Sequence, residues 1–105
     1  MKAGDILSVD FGERLLGTPA SVRPAVVVTS DHMLDRGMAA VHVVNCTTTE
    51  RESDSDIASD WGWIQAHNIT IISLTRVVTE TGHNVGPVIL AQIREIIAMV
   101  LDIDT

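Results

Sequence analysis

The stretch Val22-Arg23-Pro24-Ala25-Val26-Val27-Val28-Thr29-Ser30-Asp31 places an arginine and a proline directly before a run of small apolar residues. Valines favour extended structure, and a short apolar run that ends in turn-forming residues is typical of a strand buried on both faces. We therefore predict a strand over Ala25–Thr29. Proline fixes its own backbone and restricts the residue before it, so Arg23 is held where that strand begins. An arginine at this position either forms a structural contact at the strand edge or belongs to a functional site. The other motifs of the sequence are needed to distinguish these two roles.

The composition predicts one cytoplasmic domain spanning residues 1–105. With 105 residues and 46% apolar content, the chain can bury about two-thirds of its unfolded surface in a single core. No apolar segment approaches the roughly 18 residues of a membrane span, and the first residues contain no apolar signal core. The lone Cys46 has no partner for an internal disulfide, in keeping with a reducing compartment. The net charge of −7 argues against a general nucleic-acid coat, which needs a broad basic face.

The alternation of apolar and turn residues predicts several more short strands. They are Gly4–Phe11, Met38–Cys46, Trp61–Gln65 and Asn68–Leu74. Gly12–Ser21 is predicted as a loop, and Asp31–Gly37 as one helical turn after the start signal Ser30. Glu50–Asp60 contains five acidic residues and almost no apolar ones, which predicts a solvated loop.

One convincing helix follows Gly86-Pro87, because proline suits the first turn of a helix. Its apolar residues recur at helical spacing, and they are Ile89, Ile93, Ile96, Ile97 and Val100. Short strands with turn signals and one terminal helix predict a small, mostly antiparallel barrel capped by that helix.

Few residues offer catalytic chemistry. The histidines lack the close spacing of paired metal ligands and the only cysteine is isolated, so we expect neither a metal site nor a cofactor. Thr47-Thr48-Thr49 ends a predicted strand, where successive side chains face opposite sides and only alternate hydroxyls can enter one pocket. Threonines are also common at strand ends for structural reasons. His67 interrupts an apolar region, where an isolated histidine is more often a hydrogen-bonded structural residue than a catalyst.

Four short motifs, taken in order, resemble the MazF/PemK-type toxins of type II toxin–antitoxin systems. They are Gly4-Asp5-Ile6-Leu7-Ser8-Val9-Asp10-Phe11, Arg23-Pro24-Ala25-Val26-Val27-Val28, Val44-Asn45-Cys46-Thr47-Thr48 and Ala66-His67-Asn68-Ile69. The last stands where family members carry an Asp-Gln-Ile or Asp-Asn-Ile segment. The resemblance covers essentially the whole chain, including the terminal helix.

The resemblance implies an SH3-like barrel that forms a homodimer and acts as a metal-independent endoribonuclease. Such toxins cut single-stranded RNA at short sequences through the 2′-hydroxyl and are neutralised by a cognate MazE-like antitoxin. Their catalytic pair, the arginine of the Arg-Pro motif and the first threonine after the third strand, corresponds here to Arg23 and Thr47. His67 replaces an acid with a proposed acid/base role, so we predict it as a third catalytic residue. The further RNA-binding residues that we predict are Thr48, Gln65, Asn68 and Arg76.

Two other functions stay open. CcdB toxins share this fold and poison DNA gyrase without catalysis, but they engage gyrase through a C-terminal tryptophan, whereas this chain ends Leu101-Asp102-Ile103-Asp104-Thr105. The third possibility is a catalytically inactive SH3-like interaction module. Two features allow it: His67 replaces the acidic residue of the family pattern, and the net charge of the chain is negative. For the homodimer, we expect Trp61, Trp63 and Leu74 to contribute an apolar face.

Overall fold

The computed structural model describes residues 1–12, 22–47 and 54–103, and its strands form one antiparallel sheet in the order β4-β5-β3-β2-β1-β6. A helical turn, α1 (Asp31–Leu34), follows β2, and a terminal helix, α2 (Gly86–Val100), follows β6. The predicted class, mostly β with a C-terminal helix, is confirmed. The strands are β1 Asp5–Asp10, β2 Val22–Val27, β3 Ala40–Thr47, β4 Asp56–Ser59, β5 Gly62–Ser73 and β6 Val77–Asn84. Most of the predicted loop Gly12–Ser21 lies outside the described residues.

β2 begins at Val22 rather than at the predicted Ala25, so Arg23 lies inside the strand instead of ahead of it. Val22 to Val26 pair with β1, whereas the pairing with β3 covers only Ala25 to Val27. Pro24 has no N–H to donate, and a proline is tolerated in a strand where one side needs no ladder bond from it. Pairing with β1 therefore extends the strand back through the proline.

Alternation along the strands divides the core into two clusters, one on each face of the sheet. The first cluster contains Ile6, Val26, Val44, Cys46, Ile64, Ala66 and Ile93. The second cluster contains Leu7, Val9, Ala25, Val27, Val41, Val43 and Ile72. Consecutive residues such as Ile6 and Leu7 belong to different clusters, because successive side chains of a strand point to opposite faces.

α2 covers the first cluster. Four of the five predicted apolar helix residues, Ile89, Ile93, Ile96 and Ile97, pack there as expected. Val100 was expected to join them, but it is the last residue of the helix, packs against neither cluster and is 52% exposed. No helix within the described residues is both long enough and apolar enough to cross a membrane.

One long strand, β5, replaces the two strands that the sequence predicts between Trp61 and Leu74. Its pairing with β3 changes register: Val44 lies opposite Ile69, but Cys46 lies opposite Ile64. The step from Val44 to Cys46 is two residues on β3, but the matching step from Ile69 to Ile64 is five residues on β5. β5 therefore has three more residues than β3 here, and they form a bulge within residues 65–68. A bulge locally breaks the alternation of faces, so one continuous strand has the sequence pattern of two.

The predicted loop Glu50–Asp60 is wrong in its second half, where β4 forms a hairpin with β5. Ile57 packs against the first cluster, and this single apolar contact in a four-residue strand leaves too little alternation to detect from sequence. The turn is closed by Ser59, whose Oγ donates to the Gly62 carbonyl at 2.7 Å and accepts from the Trp61 N–H at 3.1 Å. Residues 50–53 lie outside the described residues.

β6 is a strand that the apolar pattern does not predict. It pairs only with β1, at one end of the sheet, and all of its residues after Val77 are exposed. Because this edge strand has no buried face, its sequence lacks the alternation of apolar and polar residues that predicts a strand. Trp61, in the β4–β5 turn, contacts His83 of β6 with ring centroids 5.7 Å apart. The two ends of the sheet therefore meet, which curls the sheet into the expected small barrel.

Candidate active site

Two cavities meet where the second cluster reaches the surface. One, of about 190 Å³, is lined by Phe11, Arg23, Asn45, Asn68 and Thr70. The other, of about 340 Å³, is lined by Asp10, Phe11, Thr70, Ile71, Ile72, Ser73 and Arg76. Because the cavities share Phe11 and Thr70, they form one continuous depression, which we call the groove. Three of the predicted site residues, Arg23, Asn68 and Arg76, line it.

Arg23 and Thr47 lie on the neighbouring strands β2 and β3. In the pairing of β2 with β3, Ala25 lies opposite Asn45, and continuing this register by two residues places Arg23 opposite Thr47. β3 extends one residue further than predicted, so Thr47 is held in the strand and is only 7% exposed, whereas Arg23 is exposed. Both residues share the strand face of Ala25, which belongs to the second cluster, and that is the face on which the groove opens.

A chain of three side-chain amides borders the same cavity. Asn45 Nδ2 donates to Gln65 Oε1 at 2.9 Å, and Asn68 Nδ2 donates to Asn45 Oδ1 at 3.2 Å. Asn45 and Gln65 are buried, 9% and 7% exposed, whereas Asn68 is exposed. The sequence prediction named Gln65 and Asn68 but missed Asn45. An asparagine inside the apolar run of β3 was the available signal, because a buried amide requires hydrogen-bond partners.

Arg76 ends the 3₁₀ turn before β6 and reaches the second cavity of the groove. Its guanidinium lies where a side chain at Gly12 would begin, and Gly12 has φ +80°. Glycine is therefore required here for two reasons, the left-handed backbone and the close approach of the arginine. Arg23 and Arg76 give the groove a cation in each of its two cavities. Thr48, another predicted RNA contact, lies outside the described residues.

A larger depression, of about 480 Å³, lies on the outer side of α2 and is lined by Pro87, Leu90, Ala91, Arg94 and Glu95. None of the predicted site residues lines it. Its one cation and one anion belong to neighbouring helix positions, so it lacks the convergent donors that phosphate binding requires. We therefore place the candidate site in the groove, although each of its two cavities is smaller than this depression.

A sequence model of the PemK-like, MazF-like toxins of type II toxin–antitoxin systems matches residues 2–101. The chain belongs to this family. Toxins of this family are endoribonucleases, so the predicted family and enzyme class are confirmed. No curated protein sequence matches this PemK/MazF-like chain.

Solved structures with the same fold cover nearly the whole PemK/MazF-like domain. A mycobacterial endoribonuclease in complex with its cognate antitoxin is 24% identical, with a TM-score of 0.76 over 100% of this chain and 98% of that chain. A second mycobacterial endoribonuclease is 21% identical, with a TM-score of 0.77 over 100% and 94% of the two chains. A MazE–MazF structure from Deinococcus radiodurans is 15% identical, with a TM-score of 0.80 over 99% and 98%. At these identities, the similarity establishes the fold.

His67 of this PemK/MazF-like toxin lies on the opposite side of β3 from Arg23, towards β4. Its Nδ1 lies 2.8 Å from Ser55 Oγ and 3.6 Å from Oδ1 of Asp56, whose side chain is fully buried. In a serine–histidine–aspartate relay the two partners contact different ring nitrogens, whereas here both contact the same one. The three residues are therefore not such a relay. At the bulge of β5, the His67 side chain lies against Ser55 and Asp56, whereas its neighbour Asn68 lines the groove.

Cys46 is not suited to act as a nucleophile. Burial in the first cluster raises the pKa of its thiol from the ordinary 9.0 to about 12. The thiolate is the reactive form, so this cysteine is chemically inert near neutral pH. In the PemK/MazF-like toxin, Cys46 fills the core while the residues on either side of it, Asn45 and Thr47, face the groove side of the sheet.

Proposed function

We propose that this toxin cleaves single-stranded RNA without a metal ion, with the 2′-hydroxyl of the substrate as the nucleophile. In this reaction the O2′–P bond forms as the P–O5′ bond breaks, which leaves a 2′,3′-cyclic phosphate and a 5′-hydroxyl. The nucleophile belongs to the substrate, so the protein needs to supply only orientation, proton transfer and stabilisation of charge. The observation that carries the proposal is the β2–β3 register, in which Ala25 lies opposite Asn45 and whose continuation by two residues would align Arg23 with Thr47 beside the groove.

Arg23 and Thr47 fit the demands of the transition state. Negative charge grows on the non-bridging phosphate oxygens as the 2′-hydroxyl attacks, and a guanidinium offers them two parallel donors while remaining charged at every relevant pH. The Thr47 hydroxyl adds a neutral donor from a buried strand position. Preorganised donors of this kind are worth about 10²- to 10³-fold in rate each. Fixing both on paired strands is what makes them preorganised.

The groove offers a path for the flanking nucleotides. Arg76 provides a second phosphate contact at its far end, and the Phe11 ring lies between the two cavities, where a base can stack on it. Single-stranded RNA is read by stacking and by hydrogen bonds to exposed base edges, for which Asn68 supplies an amide in the cavity, while the buried Gln65 contributes through its hydrogen bond with Asn45. The two arginines make the groove locally basic within a chain whose net charge is −7. RNA capture is therefore local rather than spread over the surface.

His67 keeps its predicted acid/base role within this proposal. Its Nδ1 contacts Ser55, which leaves Nε2 as the nitrogen for proton transfer with the substrate. Its position on the β4 side requires the RNA to extend across the bulge of β5. In the competing structural role, His67 only ties β5 to Ser55 at the start of β4, and His67→Gln would then leave the rate and its pH dependence unchanged.

The proposed partners are a MazE-like antitoxin and a second copy of this chain. An acidic antitoxin segment that covers the groove would meet Arg23 and Arg76. For the homodimer, Trp61 and Leu74 lie near opposite ends of β6, about 23 Å of strand apart at about 3.3 Å per residue, so they do not form one compact face. The apolar surface beside the exposed strand β6, formed by Met1, Leu74, Val77 and Val78, supports the dimer better.

The test is cleavage of defined RNAs by the purified protein in EDTA, with every cut site mapped and the new ends identified. We expect cuts in unpaired segments that leave 2′,3′-cyclic phosphate ends. Intact RNA under these conditions, or cleavage that appears only after a divalent metal is added, would contradict the proposal. Inhibition of DNA gyrase without any RNA cleavage would instead support the CcdB-type alternative.

A further inference from the structure

The chain of three amides has a fixed direction. A side-chain amide presents an oxygen acceptor on one side and an N–H donor on the other, and a free one can flip between the two. Here Asn45 points its nitrogen at Gln65 Oε1 and its oxygen at Asn68. Asn68 must therefore turn its nitrogen inward to donate to Asn45 Oδ1, which leaves its own Oδ1 for the cavity. Each amide thus determines the orientation of the next.

Reversing Asn68 alone is costly. A flipped Asn68 would set its oxygen against Asn45 Oδ1 and would leave that acceptor of the buried Asn45 without its donor. An unsatisfied buried polar group of this kind costs about 1–3 kcal/mol. Restoring the bonds would require Gln65, Asn45 and Asn68 to flip together, and the first two are buried. The network therefore holds the exposed amide in one orientation.

The fixed amide lies beside the proposed cleavage centre. Asn68 and Asn45 line the same cavity of about 190 Å³ as Arg23. A base next to the scissile phosphate would thus present its edge to an acceptor, Asn68 Oδ1, accompanied by the remaining Nδ2 hydrogen. Adenine and cytosine carry an exocyclic amine beside a ring nitrogen acceptor, whereas uracil and guanine carry a carbonyl beside a ring N–H. When the ribose-phosphate holds the base in one position, a fixed amide distinguishes these two edges, but a freely flipping amide can serve both.

We propose that Asn68 is a specificity-determining residue that selects adenine or cytosine over uracil or guanine beside the cleaved phosphate. We also propose that Asn45 is the positioning residue that gives Asn68 this selectivity, with Gln65 as its anchor. This inference rests on the proposed function, because it assumes that RNA enters the groove at Arg23. It deepens that function by naming the class of base and the device that selects it.

The experiment measures cleavage of RNAs that differ at one position at a time near the cut, in EDTA. For each position it records the rate with adenine or cytosine divided by the rate with uracil or guanine. At one position we expect wild type to give a ratio of about 5- to 150-fold, the range for a well-made amide–base contact. Asn68→Ala should bring this ratio to within about threefold of one.

Asn45→Ala should lower the same ratio to a similar value, while cleavage of the adenine or cytosine RNA falls less than tenfold. Because Asn45 acts through Asn68, the double variant should lose no more selectivity than either single variant. Val43→Ala is the matched control: it is a buried residue on the same face of β3, outside the amide chain, and should keep the wild-type ratio.

The outcomes separate the two proposals. Cleavage by wild type without a preference of this kind at any position, or a preference that survives Asn45→Ala, would overturn the inference and leave the ribonuclease intact. A preference for uracil or guanine at the affected position would also overturn it, since it would mean that the amide presents its nitrogen. Absence of cleavage by wild type on every RNA would overturn the proposed function and this inference with it.

Discussion

Arg23→Ala should abolish most RNA cleavage while leaving the protein nearly as stable as wild type. The side chain is exposed on β2, and its removal takes away the donors that we assign to the phosphate oxygens. Loss of one preorganised donor lowers the rate about 10²- to 10³-fold, or about 2.7–4 kcal/mol of transition-state stabilisation. An exposed substitution changes the free energy of unfolding by about 0.5 kcal/mol or less. In a domain of this size, that corresponds to a shift of about 4 °C or less in the thermal midpoint.

The assay pairs single-turnover cleavage of a defined RNA in EDTA with a thermal unfolding scan of the same sample. Arg23→Lys keeps the positive charge but loses the planar fork, so its rate should fall between wild type and Arg23→Ala. The matched control is Arg94→Ala, which removes an exposed arginine from α2, outside the groove. It changes the net charge by the same amount and should cleave at the wild-type rate.

Three results would refute this reasoning in different ways. A wild-type rate for Arg23→Ala would show that the guanidinium does not touch the reacting phosphate. An equal loss in Arg94→Ala would mean that net charge, rather than a localised donor, controls cleavage. A large drop in the unfolding midpoint of Arg23→Ala would make the arginine a structural residue that holds the proline-containing strand.

The other predictions concern four further sites. Thr47→Ala should lower the cleavage rate about 10²-fold with the protein still folded, and Thr48→Ala should be milder; equal losses would remove the argument that the two threonines face opposite sides. His67→Gln should lower the rate about 10²-fold or more and flatten the pH dependence of cleavage if His67 transfers a proton, whereas a wild-type rate and pH dependence would make it structural. Light scattering at micromolar concentration should give a mass near twice 11.3 kDa, and Val78→Glu should reduce it to the monomer; a monomeric wild type would contradict the dimer. Burial raises the pKa of Cys46 to about 12, so an alkylating reagent at pH 8 should label only the denatured chain. The Cys46 contribution to the free energy of unfolding should be constant below about pH 9 and should fall as the pH rises towards 12, because the unfolded chain loses the thiol proton first. Rapid labelling of the native protein would show that the thiol is not buried.

The sequence predicts an element best where its apolar residues are also its buried residues. The apolar residues of β1, β2 and β3 are buried in the two clusters, so their strands were recognisable, and α2 shows the helical spacing of a helix with one covered face. Arg23 and Thr47 could be paired from motif order alone. The structure adds that they lie on adjacent strands of the sheet, which no local pattern encodes.

The sequence predicts least where structure depends on pairing between distant segments. β6 is held by hydrogen bonds to β1 and exposes nearly all of its side chains, so its polar sequence is typical of a loop. β4 has a single apolar residue against the core, Ile57. Asn45 was overlooked for a related reason: its role comes from Gln65 and Asn68, which are 20 and 23 residues away in the chain. Hydrogen-bond partners at that distance cannot be read from a local window.

The bulge of β5 explains why the site has the composition it has. Before the bulge, Ile64 faces the first cluster, but after it the even-numbered Ile72 faces the second cluster. An odd number of extra residues moves all later side chains to the opposite face, because the side-chain period of a strand is two. Asn68 therefore reaches the groove only because three extra residues precede the regular pairing at Ile69. The same irregularity sends His67 away from Arg23, so the bulge that supplies the site with an amide also separates it from the imidazole. If both residues act on one substrate, that RNA must cross the bulge, and the segment 65–68 is the centre of the binding surface rather than its border.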